Sequence, residues 1–176
     1  MRELSLNVLD IAQNSVSADS SLVEIEVLEN TEKHELTLGV LDNGKGMTKE
    51  QLGSVRDPFF TTRTTRKVGL GVPLFKMAAE MTGGSFSIES EVGKGTKVHA
   101  SFKTDSIDFT PLGDMTGTVV LLITMNTDID FVYRFKKDEK SFLLDTRQLK
   151  EILGGVPLSE PSIANWLTEY INENTQ

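Results

Sequence analysis

Residues 1–104 predict a two-layer α+β sandwich, with helices over one face of a mixed, mostly antiparallel sheet. Three observations lead there. Apolar residues recur at helical spacing in segments 3–18 and 70–81, and at alternate positions in 22–28, 35–41, 85–91 and 96–102. The four alternating segments form two pairs whose connections, Asn30 to His34 and Val92 to Gly95, are of hairpin length. A chain of 176 residues holds one well-buried domain plus an appendage, so residues 105–176 are expected to form a small C-terminal α+β extension, packed as an appendage or continuing the main sheet; the alternative is a segment that docks a basic partner.

The first helix places Leu4, Val8, Ile11 and Ala12 on one face and Glu3, Asn7, Asp10, Asn14 and Ser17 on another. Asp19 and its neighbouring serines end it. Val23, Ile25 and Val27 share a face of the next strand, and Leu36, Leu38 and Val40 a face of its partner. Thr48 to Gln51 reads as a capping box opening a short helix that carries Leu52. Pro58 to Val68 has no sustained period and is expected to be a loop. In the helix over 70–81, Leu74, Met77, Ala78 and Met81 form the expected core stripe, and Pro73 is tolerated in the first turn. Gly83 and Gly84 stop this helix. Beyond the boundary segment Asp105 to Gly117, strands are expected at 118–125, 131–136 and 141–144, and helices at 146–153 and 161–173. The alternation of Phe131, Tyr133 and Phe135 suggests an antiparallel strand with one aromatic face. Ile163, Trp166, Leu167, Tyr170 and Ile171 form an amphipathic stripe.

Composition narrows the function classes. No apolar run approaches a membrane span, and MRELSLNVLD carries an acid and no apolar block, so no signal peptide is read there. With no cysteine, disulfides, thiolate catalysis and Cys-ligated zinc are out. A cytoplasmic protein is expected. A net charge of −8 argues against nucleic-acid and anionic-membrane partners. Residues 1–104 carry 12 basic and 14 acidic side chains, residues 105–176 carry 6 and 12. Against that background Arg56, Arg63, Arg66 and Lys67 concentrate positive charge in one stretch, which suits a small anion.

Four stretches carry candidate chemistry. Asp10 and Asn14, at i and i+4, project from one side of the helix. The carboxylate there can orient a water, and the Asn carbonyl can fill one position around Mg²⁺; the plain alternative is a solvated polar face. Asp42-Asn-Gly44-Lys-Gly46-Met47 ends a strand and reads either as a simple turn or as an adenine pocket. In the pocket reading Asp42 accepts the exocyclic amine, and Gly44 and Gly46 let the backbone approach the base. Gly69-Leu70-Gly71 opens a helix and bares backbone N–H groups for phosphate. The preceding loop, with Thr61, Thr62, Arg63, Arg66 and Lys67, is either an ordinary loop or a phosphate lid.

Together these residues resemble the histidine-kinase-like ATPase superfamily (GHKL, Bergerat type), which holds gyrase, heat-shock chaperones, MutL-type repair proteins, anti-sigma kinases and sensor histidine kinases. Asp10-Ile-Ala-Gln-Asn14-Ser resembles the helix motif with the metal-binding Asn, and Asp42 to Met47 the adenine box. Pro58-Phe-Phe60-Thr-Thr62-Arg63 and Gly69-Leu70-Gly71 are similar to the F and second glycine boxes, and Gly95-Thr96 to the last motif. The likeness spans about residues 2–103 and is greatest to the ATP-binding domain of sensor histidine kinases. It implies an ATP- and Mg²⁺-binding sandwich under a lid. It also implies that Asn14, Asp42, Gly44, Gly46, Met47, Phe60, Thr62, Arg63, Lys67, Gly69, Leu70, Gly71 and Thr96 line the nucleotide site, with Asn14 at the metal. Position 10 departs from the pattern: it is Asp where hydrolysing branches carry Glu and histidine kinases mostly Asn.

The implied function is a standalone kinase-type ATPase domain that phosphorylates or regulates a separate protein, as anti-sigma kinases do, with Asp10 as a general base. The alternatives are an ATP-hydrolysing conformational switch and a non-catalytic nucleotide sensor. His34-Glu-Leu-Thr superficially resembles a phosphoacceptor motif but falls in a hairpin, so the acceptor is expected on another protein.

Overall fold

The computed structural model describes residues 3–55 and 71–176. Helix α1 (Leu4–Ser17) precedes the hairpin β1 (Leu22–Asn30) and β2 (Glu35–Asp42). The short α2 (Lys49–Val55) starts at the expected capping box: Thr48 Oγ1 accepts from the Gln51 N–H, and Gln51 Oε1 accepts from the Thr48 N–H. Helix α3 (Gly71–Met81) leads to the hairpin β3 (Ser85–Glu91) and β4 (Gly95–Lys103). Then follow α4 (Met115–Met125), β5 (Asp130–Lys137), β6 (Lys140–Asp145), α5 (Thr146–Leu153) and α6 (Pro161–Thr175).

The strands form one six-stranded sheet in the order β3-β4-β2-β1-β5-β6. Every neighbouring pair is antiparallel except β1 and β5. The expected inward faces of β1 and β2 are buried as read. They continue across the register into Val98, Ala100 and Phe102 of β4 and Phe131, Tyr133 and Phe135 of β5. Helices α1, α3 and α4 cover this face, and one continuous core joins residues of 1–104 to residues of 105–176. The far face is polar: Glu26 pairs with His99 at 3.2 Å, and Glu24 pairs with Arg134. His34 sits in the β1–β2 turn at φ +54°, as its hairpin placement requires.

Three expectations need correction. Residues 118–125 are helical, as part of α4. A short apolar run does not distinguish strand from helix by period. Here Asp114 caps a helix, its Oδ1 accepting from the Gly117 N–H at 2.9 Å, and Thr118, Val119, Val120, Leu122 and Ile123 are all buried. A helix apolar nearly all round is one enclosed by neighbours, here α1, α6 and β5. Strand β5 is antiparallel only to β6 and runs parallel to β1, because a helical crossover delivers it. Finally, α3 is rotated from the expected stripe. Val72, Phe75 and Ala79 are buried, whereas Met77 and Met81 are 50% and 56% exposed. The helix is apolar on two sides, and Phe75 decides between them by packing its ring 5.8 Å from Phe102 and 6.5 Å from Phe86.

Candidate functional site

The C-terminal half of α1 meets the end of β2, and Asp42 is the junction. Ser15 Oγ donates to Asp42 Oδ2 at 2.6 Å, and the Gly44 and Thr96 N–H groups donate to Oδ1 at 2.9 and 3.2 Å. A carboxylate has about four acceptor positions. Three donors therefore leave half-buried Asp42 able to take one more, from outside the protein.

The loop after Asp42 is held from both sides. Asn43 Oδ1 accepts from the Ser21 and Leu22 N–H groups, and its Nδ2 donates to Ser21 Oγ. The Lys45 N–H donates to the Ala18 carbonyl, and the Gly93 N–H donates to the Lys45 carbonyl. The Met47 N–H donates to Ser90 Oγ, which also pairs with Thr96 Oγ1 at 2.8 Å. These contacts explain the glycines in terms of the protein's own backbone. A Cβ at Gly44 would meet the Ala18 carbonyl at 2.7 Å, and one at Gly46, whose φ is +70°, would overlap the Glu91 carbonyl at 2.0 Å. The close approach anticipated from a base is thus already required by α1 and by the β3–β4 hairpin.

Asp10 and Asn14 leave the same side of α1, one turn apart. Asp10 is exposed at its tip, yet partial desolvation raises its carboxyl above the ordinary carboxylate value. Gly71, the first described residue of α3, comes so close that a Cβ there would lie 3.3 Å from Asp10 Cβ. Asn14 is half-buried. Among the described residues no group of three or more His, Cys, Asp or Glu is placed to hold a metal ion.

The structure thus brings together Asp10, Asn14, Asp42, Gly44, Gly46, Met47, Gly71 and Thr96. Phe60, Thr62, Arg63, Lys67, Gly69 and Leu70 lie outside the described residues. Two members of this cluster had gone unread. Ser15 donates to Asp42, and Ser90 ties Met47 to Thr96. Ser15 had a signal in the sequence: it continues the buried series Leu4, Val8, Ile11 as its one polar member. Ser90 had none, since it lies on a strand of unremarkable polarity.

Comparisons with known proteins bear on the family and the fold. The family model "Histidine kinase-, DNA gyrase B-, and HSP90-like ATPase" matches residues 1–106. Sporulation kinase D of Bacillus subtilis is 32% identical over 91 residues, covering 52% of this chain and 18% of that protein. Sensor protein SrrB of Staphylococcus aureus is 35% identical over 101 residues, covering 54% of this chain and 17% of that protein. The chain therefore spans less than a fifth of these relatives' length. Among solved structures, the N-terminal domain of a DNA repair protein superposes with a TM-score of 0.56 at 16% identity, covering 81% of this chain and 52% of that one. The Aquifex aeolicus MutL ATPase domain complexed with ADP gives 0.50 at 15% identity, covering 88% and 70%. At these identities the structural likeness bears on the fold, which is the same mixed sheet under helices. No helix among the described residues is long and apolar enough to cross a membrane. By its motifs, its sheet and the match over residues 1–106, the chain belongs to the histidine kinase-, DNA gyrase B- and HSP90-like ATPase family.

Proposed function

We propose that this chain binds ATP with Mg²⁺ and uses it, in the cytoplasm, to phosphorylate or regulate a separate protein. In this reading residues 1–104 are the nucleotide-binding part and residues 105–176 an extension. The observation that carries it is the Asp42 carboxylate, fixed by Ser15, Gly44 and Thr96 with one acceptor position left. An acceptor held rigidly in that way selects adenine, whose exocyclic amine donates, over guanine, whose carbonyl does not.

Asn14 stands beside Ser15 on the same helix, so a base at Asp42 puts the phosphates along the Asp10–Asn14 side of α1. The Asn14 side chain makes no hydrogen bond to another described residue, and its carbonyl is a hard oxygen donor that fits Mg²⁺. When bound, the ion neutralises charge on the phosphate oxygens. The start of α3 at Gly71 offers backbone N–H groups to the same anion, and Arg63 and Lys67 supply the cations of the lid. Asp10 takes the proton of the attacking group.

A second reading, an ATP-hydrolysing conformational switch, is favoured by Asp10 itself. Its raised carboxyl, next to Gly71 and one turn from Asn14, is better suited to proton abstraction from water than an ordinary surface aspartate. Incubation with γ-labelled ATP, Mg²⁺ and candidate partners separates the readings. Label on a partner is the outcome expected of a kinase. Free phosphate that disappears in Asp10→Ala is expected of the switch, and binding without turnover marks a nucleotide sensor. In all three, Asp42→Asn should weaken adenine-nucleotide affinity at least tenfold by calorimetry, because it turns an acceptor toward donor character. Unchanged affinity in that variant would sink the assignment of the pocket.

A further inference from the structure

Among the described residues, the buried polar side chains are satisfied with one exception. Ser5, Ser15, Ser20, Thr82, Thr116, Thr118 and Thr146 each hydrogen-bond to a neighbour. Asn7 does not: it is fully buried on α1, and neither the oxygen nor the nitrogen of its carboxamide has a partner among the described residues. A buried, unbonded amide is unfavourable where a leucine would cost nothing, so its presence needs a reason.

Its position supplies one. Asn7 precedes Asp10 by three residues and Asn14 by seven, so the three side chains leave one flank of α1. Helix α3 packs against that flank, since a Cβ at Gly71 would lie 3.3 Å from Asp10 Cβ and 4.0 Å from Ile11 Cδ1. The two helices run in opposite directions. α1 climbs to Ser15 beside Asp42, and α3 descends to Thr82, whose Oγ1 accepts from the Lys103 N–H at the other end of β4. The turn of α3 after Gly71 therefore passes the level of Asn7. The orphaned amide marks the seam between the helix carrying Asp10 and Asn14 and the helix opened by Gly71, both of which face the nucleotide site.

We propose that Asn7 is a positioning residue for nucleotide binding, its carboxamide gaining hydrogen bonds to α3 in the nucleotide-bound arrangement of the two helices. The free protein carries the cost of the unbonded amide and the bound form does not, so the difference appears as affinity. This rests on the ATP-binding reading above.

The test compares the parent chain with Asn7→Leu, by thermal unfolding without nucleotide and by calorimetric titration with ADP and with ATP and Mg²⁺. The expected result has opposite signs. The nucleotide-free variant melts about 2–4 °C higher, while its nucleotide affinity falls about tenfold, or ~1.4 kcal/mol. Affinity within about twofold of the parent overturns the proposal, whatever the melting temperature does. A loss of affinity together with a lowered melting temperature overturns it too, as the mark of a generally disturbed site. Should Asn7→Leu fail to fold, Asn7→Met, more adaptable in shape, is read by the same criteria. A parent chain that binds no adenine nucleotide would instead defeat the ATP-binding reading.

Discussion

Two aspartates in this site are placed for opposite uses. Asp42 is fixed in direction by three donors, the Ser15 hydroxyl and the Gly44 and Thr96 N–H groups. Among the described residues none donates a hydrogen bond to Asp10, and desolvation raises its carboxyl. The sign of the stability effect follows. Because the folded chain holds the Asp10 proton more tightly than the unfolded chain, the stability Asp10 contributes is full below the ordinary value of about 3.9. It is lost as pH rises through the raised folded value. Asp10→Asn removes that loss, so the variant should melt above the parent at neutral pH, and the gap should close toward pH 3. Coincident melting curves at both pH values would contradict the assignment. The same raised carboxyl places the acid limb of any Asp10-dependent turnover above the usual carboxylate range.

Among the elements, α3 shows how much the sequence disclosed and where it stopped. Strand faces were legible because a two-residue period leaves one choice of inside, and Val23, Ile25, Val27, Leu36, Leu38 and Val40 took it. Helix α3 is apolar on two sides, so its period alone left the rotation open, and the ring of Phe102, from a strand 20-odd residues on, settled it. Phe75→Ala should accordingly cost about 3–5 kcal/mol in urea unfolding. Met77→Ala should stay within about 0.5 kcal/mol. Equal costs would restore the stripe through Met77 and Met81. Helix α4 failed for a related reason: total burial erases the pattern that identifies a helix, and the cap at Asp114 was the one local sign of it. In the cluster around Asp42, the residues Asp10, Asn14 and Thr96 were singled out by motif order and are found near it, whereas Ser90 was placed by strand pairing that no local pattern encodes.

For the whole molecule, the parallel pairing of β1 with β5 makes the C-terminal segment part of the main sheet. Leu122 and Leu167 are as fully buried as Phe102 and belong to the same core. Leu122→Ala should therefore lower the stability of the whole chain by about 2–5 kcal/mol in a single transition, monitored together at Trp166 and by far-ultraviolet circular dichroism. Two resolved transitions would show that the segments unfold separately. The same connectivity bears on how the chain is made. The first N–H groups of α1, at Leu4 and Ser5, donate to the carbonyls of Pro111 and Leu112, and Asp114 N–H donates to Glu3 Oε1. The opening turn of the first helix is thus completed by residues synthesised more than a hundred positions later. Pairings this distant in sequence slow folding. A nascent chain that has exposed only residues 1–104 holds Asp10 and Asn14 on an unfinished helix beside a sheet still lacking β5. The order of synthesis therefore makes completion of α1 and of the sheet a late event, delayed until the partners of Leu4, Ser5 and β1 have been made and have docked.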